Sequence, residues 1–74
     1  MSGRFPFEYL PTDGPHDALL IRIHGADIGV IAKPRHLRGR YCAFTMTGER
    51  LKGDHPSRIS AALACAAAAD VPGY

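Results

Sequence analysis

The side chains that could carry chemistry in this 74-residue chain are few: His16, His24, His36 and His55, Cys42 and Cys65, and the cations of "KPRHLRGR", Lys33 to Arg40. A metal site draws its ligands from short, regular spacings, such as two histidines at i, i+4 or a C-x-x-C pair. None of these residues has that spacing, so no metal and no cofactor is expected. Acid–base work on a phosphodiester needs a histidine with a second acid or base in reach. His36, set among arginines, is the candidate, and no partner for it can be identified. His16 falls in a loop, His24 opposes Asp27 in a hairpin, and His55 precedes Pro56 at a helix start. A nucleophilic thiol needs an open, electropositive setting. Cys42 alternates with Phe44 and Met46, the pattern of an inert core thiol, and Cys65 falls on a helix flank with its role open. We expect no catalytic residues and read the chain as a binding protein, not an enzyme.

The basic cluster remains. Lys33, Arg35, Arg38 and Arg40 crowd into one short segment, with His36 among them and Tyr41 directly after, in a chain of net charge only +2. Pro34 removes a backbone donor and Gly39 permits positive φ, so the segment should be a turn that displays its arginines outside any strand ladder. Arginine's planar fork fits carboxylates and phosphates alike. The expected partner-binding residues are Lys33, Arg35, His36, Arg38, Arg40 and Tyr41. If all four cations neutralised phosphates, the log–log salt slope would be only about −3.6, which supports weak binding by itself. An acidic protein surface or a ribonucleoprotein complex is the expected partner, with nucleic acid as the alternative.

These residues need elements to position them. In "ALLIRIHGADIGVIAK", Ala18 to Lys33, two β-rich runs flank Gly25-Ala26, which suits a type II′ hairpin turn. Registered on that turn, Ile23 pairs with Ile28, Ile21 with Val30 and Leu19 with Ala32, all on one face. Arg22 then opposes Gly29, Leu20 opposes Ile31 and His24 opposes Asp27 on the other. "RYCAFTMT" alternates as a strand with Cys42, Phe44 and Met46 inward and Tyr41, Ala43 and Thr45 outward. A turn at Thr47-Gly48 leads to a short return over 50–52, with Leu51 inward. At the front, Phe5, Phe7 and Tyr9 alternate with Arg4, Pro6 and Glu8, and Pro6 marks a sheet edge. The tail "PSRISAALACAAAAD" is the helix, opened at Pro56 with Asp54 or Ser57 as cap and stopped by Pro72-Gly73. Its wheel places Ile59, Ala62, Leu63 and Ala66 inward. The turned-away face, with Ala61, Ala64, Cys65 and Ala68, is small-residued and nearly uncharged, and is expected to serve a weak homodimer or a second contact. The fold class is α+β, an antiparallel sheet of four to five strands with one C-terminal helix packed on one face.

Size sets the remaining bounds. A chain this short forms a single domain, residues 1–74, and buries only roughly 60% of its unfolded surface. "MSGRFPFEYL" has neither the apolar run nor the small-residue cleavage site of a signal peptide. No segment has the apolar length to span a membrane. Two cysteines do not make a disulfide framework, so a cytoplasmic, reduced protein is expected.

Two resemblances bear on function. The order sheet then helix, with "GRYCAF" in a strand, "TGERL" at a turn and "SRISAALACAAAA" in a helix, resembles the DNA-binding modules of AP2 and integrase arm-binding type. That resemblance implies a sheet entering the major groove, with Arg38, Arg40 and Tyr41 on bases or phosphates. A short single-domain chain with one sheet, one helix and no catalytic set resembles the small inhibitors carried by phages and mobile elements, of which anti-CRISPR proteins are a group. This second resemblance implies a stoichiometric binder that blocks a nucleic-acid-handling complex, and it ranks first. The module-type DNA binder is the alternative, and a small toxin-like ribonuclease built on His36 is the third reading.

Overall fold

The computed structural model describes residues 7–70. The expected front-strand positions Arg4, Phe5 and Pro6 and the Pro72-Gly73 stop lie outside that range. Within it the chain is a four-stranded antiparallel meander followed by one helix: β1 (Phe7–Pro11), β2 (Leu19–Ile23), β3 (Ala26–Ala32), β4 (Cys42–Phe44) and α1 (Arg58–Ala68), with the strands in sequence order across the sheet. The expected α+β class holds, with four strands. The return at 50–52 is not a fifth strand. It contributes a single bridge, Phe44 to Arg50, and a hydrogen bond from the Leu51 N–H to the Ala43 carbonyl at 2.8 Å, with Leu51 half-buried as expected.

The β2–β3 hairpin forms with its turn one residue earlier than expected, so the register is two residues off at the tip and, past a bulge, one. Its two loop residues are His24 and Gly25, at φ 51° and 79°, so both central positions are left-handed. That is the backbone of a type I′ turn, whose twist suits the flanking strands, and histidine tolerates it better than most side chains. Ile23 therefore faces Ala26 and Arg22 faces Asp27, after which the register shifts and Ile21 faces Gly29. Ile28 is the extra residue of this β-bulge. The bulge keeps Ile28 buried beside Ile21 and Ile23, as expected. It carries Val30 and Ala32 to the other face, against expectation.

Both faces of the sheet consequently hold apolar clusters. Ile21, Ile23, Ile28, Ile31 and Ala43 pack under the helix, and Ala18, Ala32 and Cys42 are buried on the opposite side with Val30 and Phe44 half-covered. The expected orientation of β4 is corrected accordingly. Ala43 is the residue under the helix, Cys42 and Phe44 turn to the opposite face, and Met46 is exposed. Alternation located the centre of the strand, which runs only over Cys42–Phe44 before the chain turns at Met46 and Thr47, and with apolar residues on both sides it could not say which side the helix takes.

The helix begins where Ser57, in extended conformation, accepts a hydrogen bond from the Ser60 N–H at 3.2 Å, which makes Ser57 the cap. It lies on β3 and β4 through Ala61, Ala62, Cys65 and Ala66, all fully buried. The inward face is thus rotated from the expected one. Ile59 is exposed, Leu63 is half-buried, and Ala61 and Cys65 point into the sheet. The reason is distance. A Cβ added at Gly29 would sit 2.7 Å from the Cys65 Sγ and 2.6 Å from the Phe44 carbonyl oxygen, so helix and sheet meet where β3 has no side chain. Only small helix residues fit there, which selects the alanines and Cys65 over Ile59 and Leu63. Among the described residues no helix is long and apolar enough to cross a membrane.

Candidate functional site

The basic segment folds as a turn of 3-10 helix, Arg35–Leu37, between β3 and β4. Its sequence explains how it is held. Pro34 and Leu37 are three apart, so in a helix of three residues per turn they share one side. Pro34 is buried and Leu37 is half-buried against the cluster of Ala18, Ala32 and Cys42. The remaining residues are pushed outward. The Leu37 and Arg38 N–H groups donate to the Pro34 and Arg35 carbonyls at 3.1 and 3.0 Å. Arg38 closes the turn at φ 53°, ψ 51°, a left-handed conformation that costs a non-glycine residue about 1 kcal/mol, and Gly39 follows at φ 87°. The Arg40 N–H donates to the Leu37 carbonyl at 3.1 Å, and Tyr41 and His55 exchange backbone hydrogen bonds at 2.8 Å, which clamps the exit. On the entry side the Lys33 N–H donates to the His16 carbonyl at 2.9 Å, tying the β1–β2 loop to the same corner.

The six expected contact residues divide in this frame. The Lys33 ammonium lies 5.8 Å from the Tyr41 ring centroid, and Tyr41 packs toward the helix-side core. Arg40 approaches Asp54 twice, with Nε 3.9 Å from Oδ2 and Nη2 donating to the backbone carbonyl at 3.4 Å. Asp54 also faces Arg50 at 3.6 Å. Arg35, His36 and Arg38 are exposed, and among the described residues neither arginine has an ion pair or a side-chain hydrogen bond. The displayed cations are therefore Arg35 and Arg38, while Lys33, Arg40 and Tyr41 serve in part to hold the loop.

His36 belongs to a second feature as well. With His16 and Arg50 it borders a concavity of about 510 Å³ on the sheet face opposite the helix, floored by Val30, Ala32, Pro34, Cys42 and Phe44. Residue types alone did not show this site, because Val30 and Ala32 reach that face only through the bulge. The pairing extends the apolar surface, since Leu10 faces Leu20, Leu20 faces Val30 and Val30 faces Phe44, a row across all four strands. All four side chains are only half-buried.

The remaining candidates are structural in placement. His24 sits in the hairpin turn, and His55 keeps its Nε2 buried with no hydrogen-bond partner. Among the described residues no group of three or more His, Cys, Asp or Glu side chains could hold a metal ion. Both thiols are free and buried. Burial pushes Cys65 up to about 11, partly offset by its 3.8 Å contact with the Phe44 carbonyl, so it is a protonated packing residue at neutral pH. The expected second contact face is not available as drawn, because Ala61 and Cys65 are under the helix and only Ala64 and Ala68 retain exposure. Searches against protein families, characterised proteins and solved structures find no match for this chain.

Proposed function

We propose that this chain is a non-enzymatic binding protein that attaches to an anionic partner through Arg35 and Arg38, and that it acts as a stoichiometric blocker of a nucleic-acid-handling complex. The observation that carries the anion-binding part is the pair of arginines held outward, without ion partners among the described residues, on a loop fastened by Pro34, Leu37 and the Tyr41–His55 exchange. A fastened loop loses little conformational freedom on binding, so more of the contact energy appears as affinity. Arg38 accepts a left-handed backbone that glycine would adopt without cost, which fits a side chain kept for its guanidinium. The blocking role rests on the resemblance to small phage-borne inhibitors. A reducing, cytoplasmic setting fits two free thiols.

The module-type reading would bring a sheet face to the DNA groove. Here the face away from the helix carries the row Leu10, Leu20, Val30 and Phe44, next to Glu8 and an Arg22 already paired with Asp27 at 2.7 Å. Phosphates would meet an apolar and partly acidic surface, so the loop is favoured over the sheet. Affinity capture from a bacterial lysate, with and without nuclease, tests the proposal. The unmutated protein should retain a defined complex that Arg35→Glu/Arg38→Glu does not. Equal recovery by the double variant would reduce the loop to solubilising charge.

A further inference from the structure

We infer that the partner held by the basic loop is a protein segment that inserts one apolar side chain, flanked by carboxylates, into the concavity on the open sheet face. The inference rests on the reading of Arg35 and Arg38 as an anion-binding pair, and it adds the class of partner. Continuity comes first. His36 stands between the two arginines in the loop and also borders the concavity, so a ligand that meets the arginines is already at its edge. Charge comes next. Among the described residues, those bordering the concavity include His16, His36 and Arg50 and no Asp or Glu, although Arg50 is shared with Asp54 at 3.6 Å. The rim therefore favours an anionic flank around whatever fills the centre.

The floor decides the class of macromolecule. Val30, Ala32, Pro34, Cys42 and Phe44 offer apolar side chains, and at about 510 Å³ the space is within the range that holds a compact ligand group. A nucleobase can stack its face on Phe44, but among the described lining side chains its hydrogen-bonding edges would meet only Thr12, His16, His36 and Arg50, and an edge turned to the floor would stay unpaired. A leucine, methionine or phenylalanine side chain has no edges to satisfy. The half-buried row Leu10, Leu20, Val30 and Phe44 continues the same surface beyond the concavity, which gives an extended segment room to lie across the strands. An aromatic or aliphatic anchor in a pocket with a charged rim is the arrangement that concentrates binding energy at protein interfaces.

The test compares two capped pentapeptides of equal charge, Asp-Glu-Phe-Glu-Asp and Asp-Glu-Ala-Glu-Asp, by amide shift mapping on the isotopically labelled protein, with a short single-stranded RNA as the phosphate probe. The phenylalanine peptide should bind about tenfold or more tightly than the alanine peptide, with shifts at Val30, Ala32, Cys42 and Phe44 that the alanine peptide does not cause. Val30→Glu should abolish that difference, and Arg35→Glu/Arg38→Glu should weaken both peptides. The comparison on the unmutated protein stands even where Val30→Glu fails to fold. Equal affinity of the two peptides, with shifts confined to the loop, would overturn the anchor and leave the anion-binding loop intact. Indifference of every probe to the double arginine variant would sink the loop itself. RNA that shifts Val30 and Phe44 would assign the concavity to a base. Self-association that Val30→Glu removes would assign it to a second copy, and failure of both peptides to bind would also overturn the inference.

Discussion

The two faces of the sheet differ more than their compositions do. On β3 and β4, neighbouring residues alternate between faces: Gly29, Ile31 and Ala43 meet the helix, and Val30, Ala32, Cys42 and Phe44 look the other way. The covered face is built on small residues. Gly29, Ala43, Ala61, Ala62 and Ala66 remove bulk until backbone and helix nearly touch, and the isoleucines fill what space is left. The open face has no helix over it among the described residues: the loop that displays cations closes over Ala32 and Cys42 at one corner, and Val30 and Phe44 stay half-buried beside it. Close approach limits the first face, and access distinguishes the second. Stability should therefore be sensitive to volume on one side, and binding to charge and polarity on the other.

The largest expected effect tests the close approach. Gly29→Ala should cost about 3 kcal/mol, because its Cβ meets a backbone oxygen and a sulfur that cannot both retreat. Val30→Ala next to it should cost about 1 kcal/mol, since the side chain is only half-buried. Denaturant midpoints measure both, and equal losses would erase the contrast between the faces.

A smaller effect separates the faces by pH. Cys65 is raised by burial, so the folded state favours the protonated thiol. Its contribution is complete below the thiol's ordinary pKa and is lost as pH rises through about 11. Stability should fall from pH 9 upward, and Cys65→Ala should flatten that fall between pH 9 and 10. Tyr9, raised mainly by burial and lowered by Arg58, adds a loss of the same sign at higher pH, which is why the lower window is the diagnostic one. An unchanged slope in Cys65→Ala would show that the thiol is not held as described.

Thiol labelling sharpens the same division. Cys42 floors the concavity, and Cys65 is closed off beneath the helix. Both should react slowly in the native state and fast in denaturant. Cys42 should nonetheless label about tenfold sooner, because local opening of a loop-covered site takes less free energy than lifting a helix. Prior labelling of Cys65 would mean that the helix, not the loop corner, opens first.

The smallest expected effect is on the loop. Arg35→Glu/Arg38→Glu should shift the thermal midpoint by no more than about 0.5 kcal/mol equivalent, since both side chains are exposed and neither has an ion pair or side-chain hydrogen bond to lose among the described residues. A large drop would make the arginines structural and remove the basis for a displayed site.

Much of the molecule was legible in residue order, and the losses have physical causes. The hairpin, the position of the basic loop and the alanine helix followed from Gly25, Pro34, Gly39 and a cap at Asp54 or Ser57. The turn was misplaced by one because His24 in a left-handed conformation has no sequence mark as clear as Asn-Gly. That error hid the bulge at Ile28, and with it the sorting of Val30 and Ala32. The helix was rotated because a wheel weighted by hydrophobicity favours Ile59 and Leu63, whereas close approach at Gly29 favours Ala61 and Cys65. The division of the cations depended on Asp54, fourteen residues beyond Arg40, a contact only the fold creates.

The order of elements has a consequence for refolding. The meander is complete by Phe44, but the helix that seals its tighter face starts only at Arg58. Pairing between consecutive strands is local and quick, so the strands can meet with Ile21, Ile23 and Ile31 open to other chains until the helix docks. Dilution from denaturant at rising protein concentration should therefore raise the share of aggregated product without altering the stability of the chains that do complete folding.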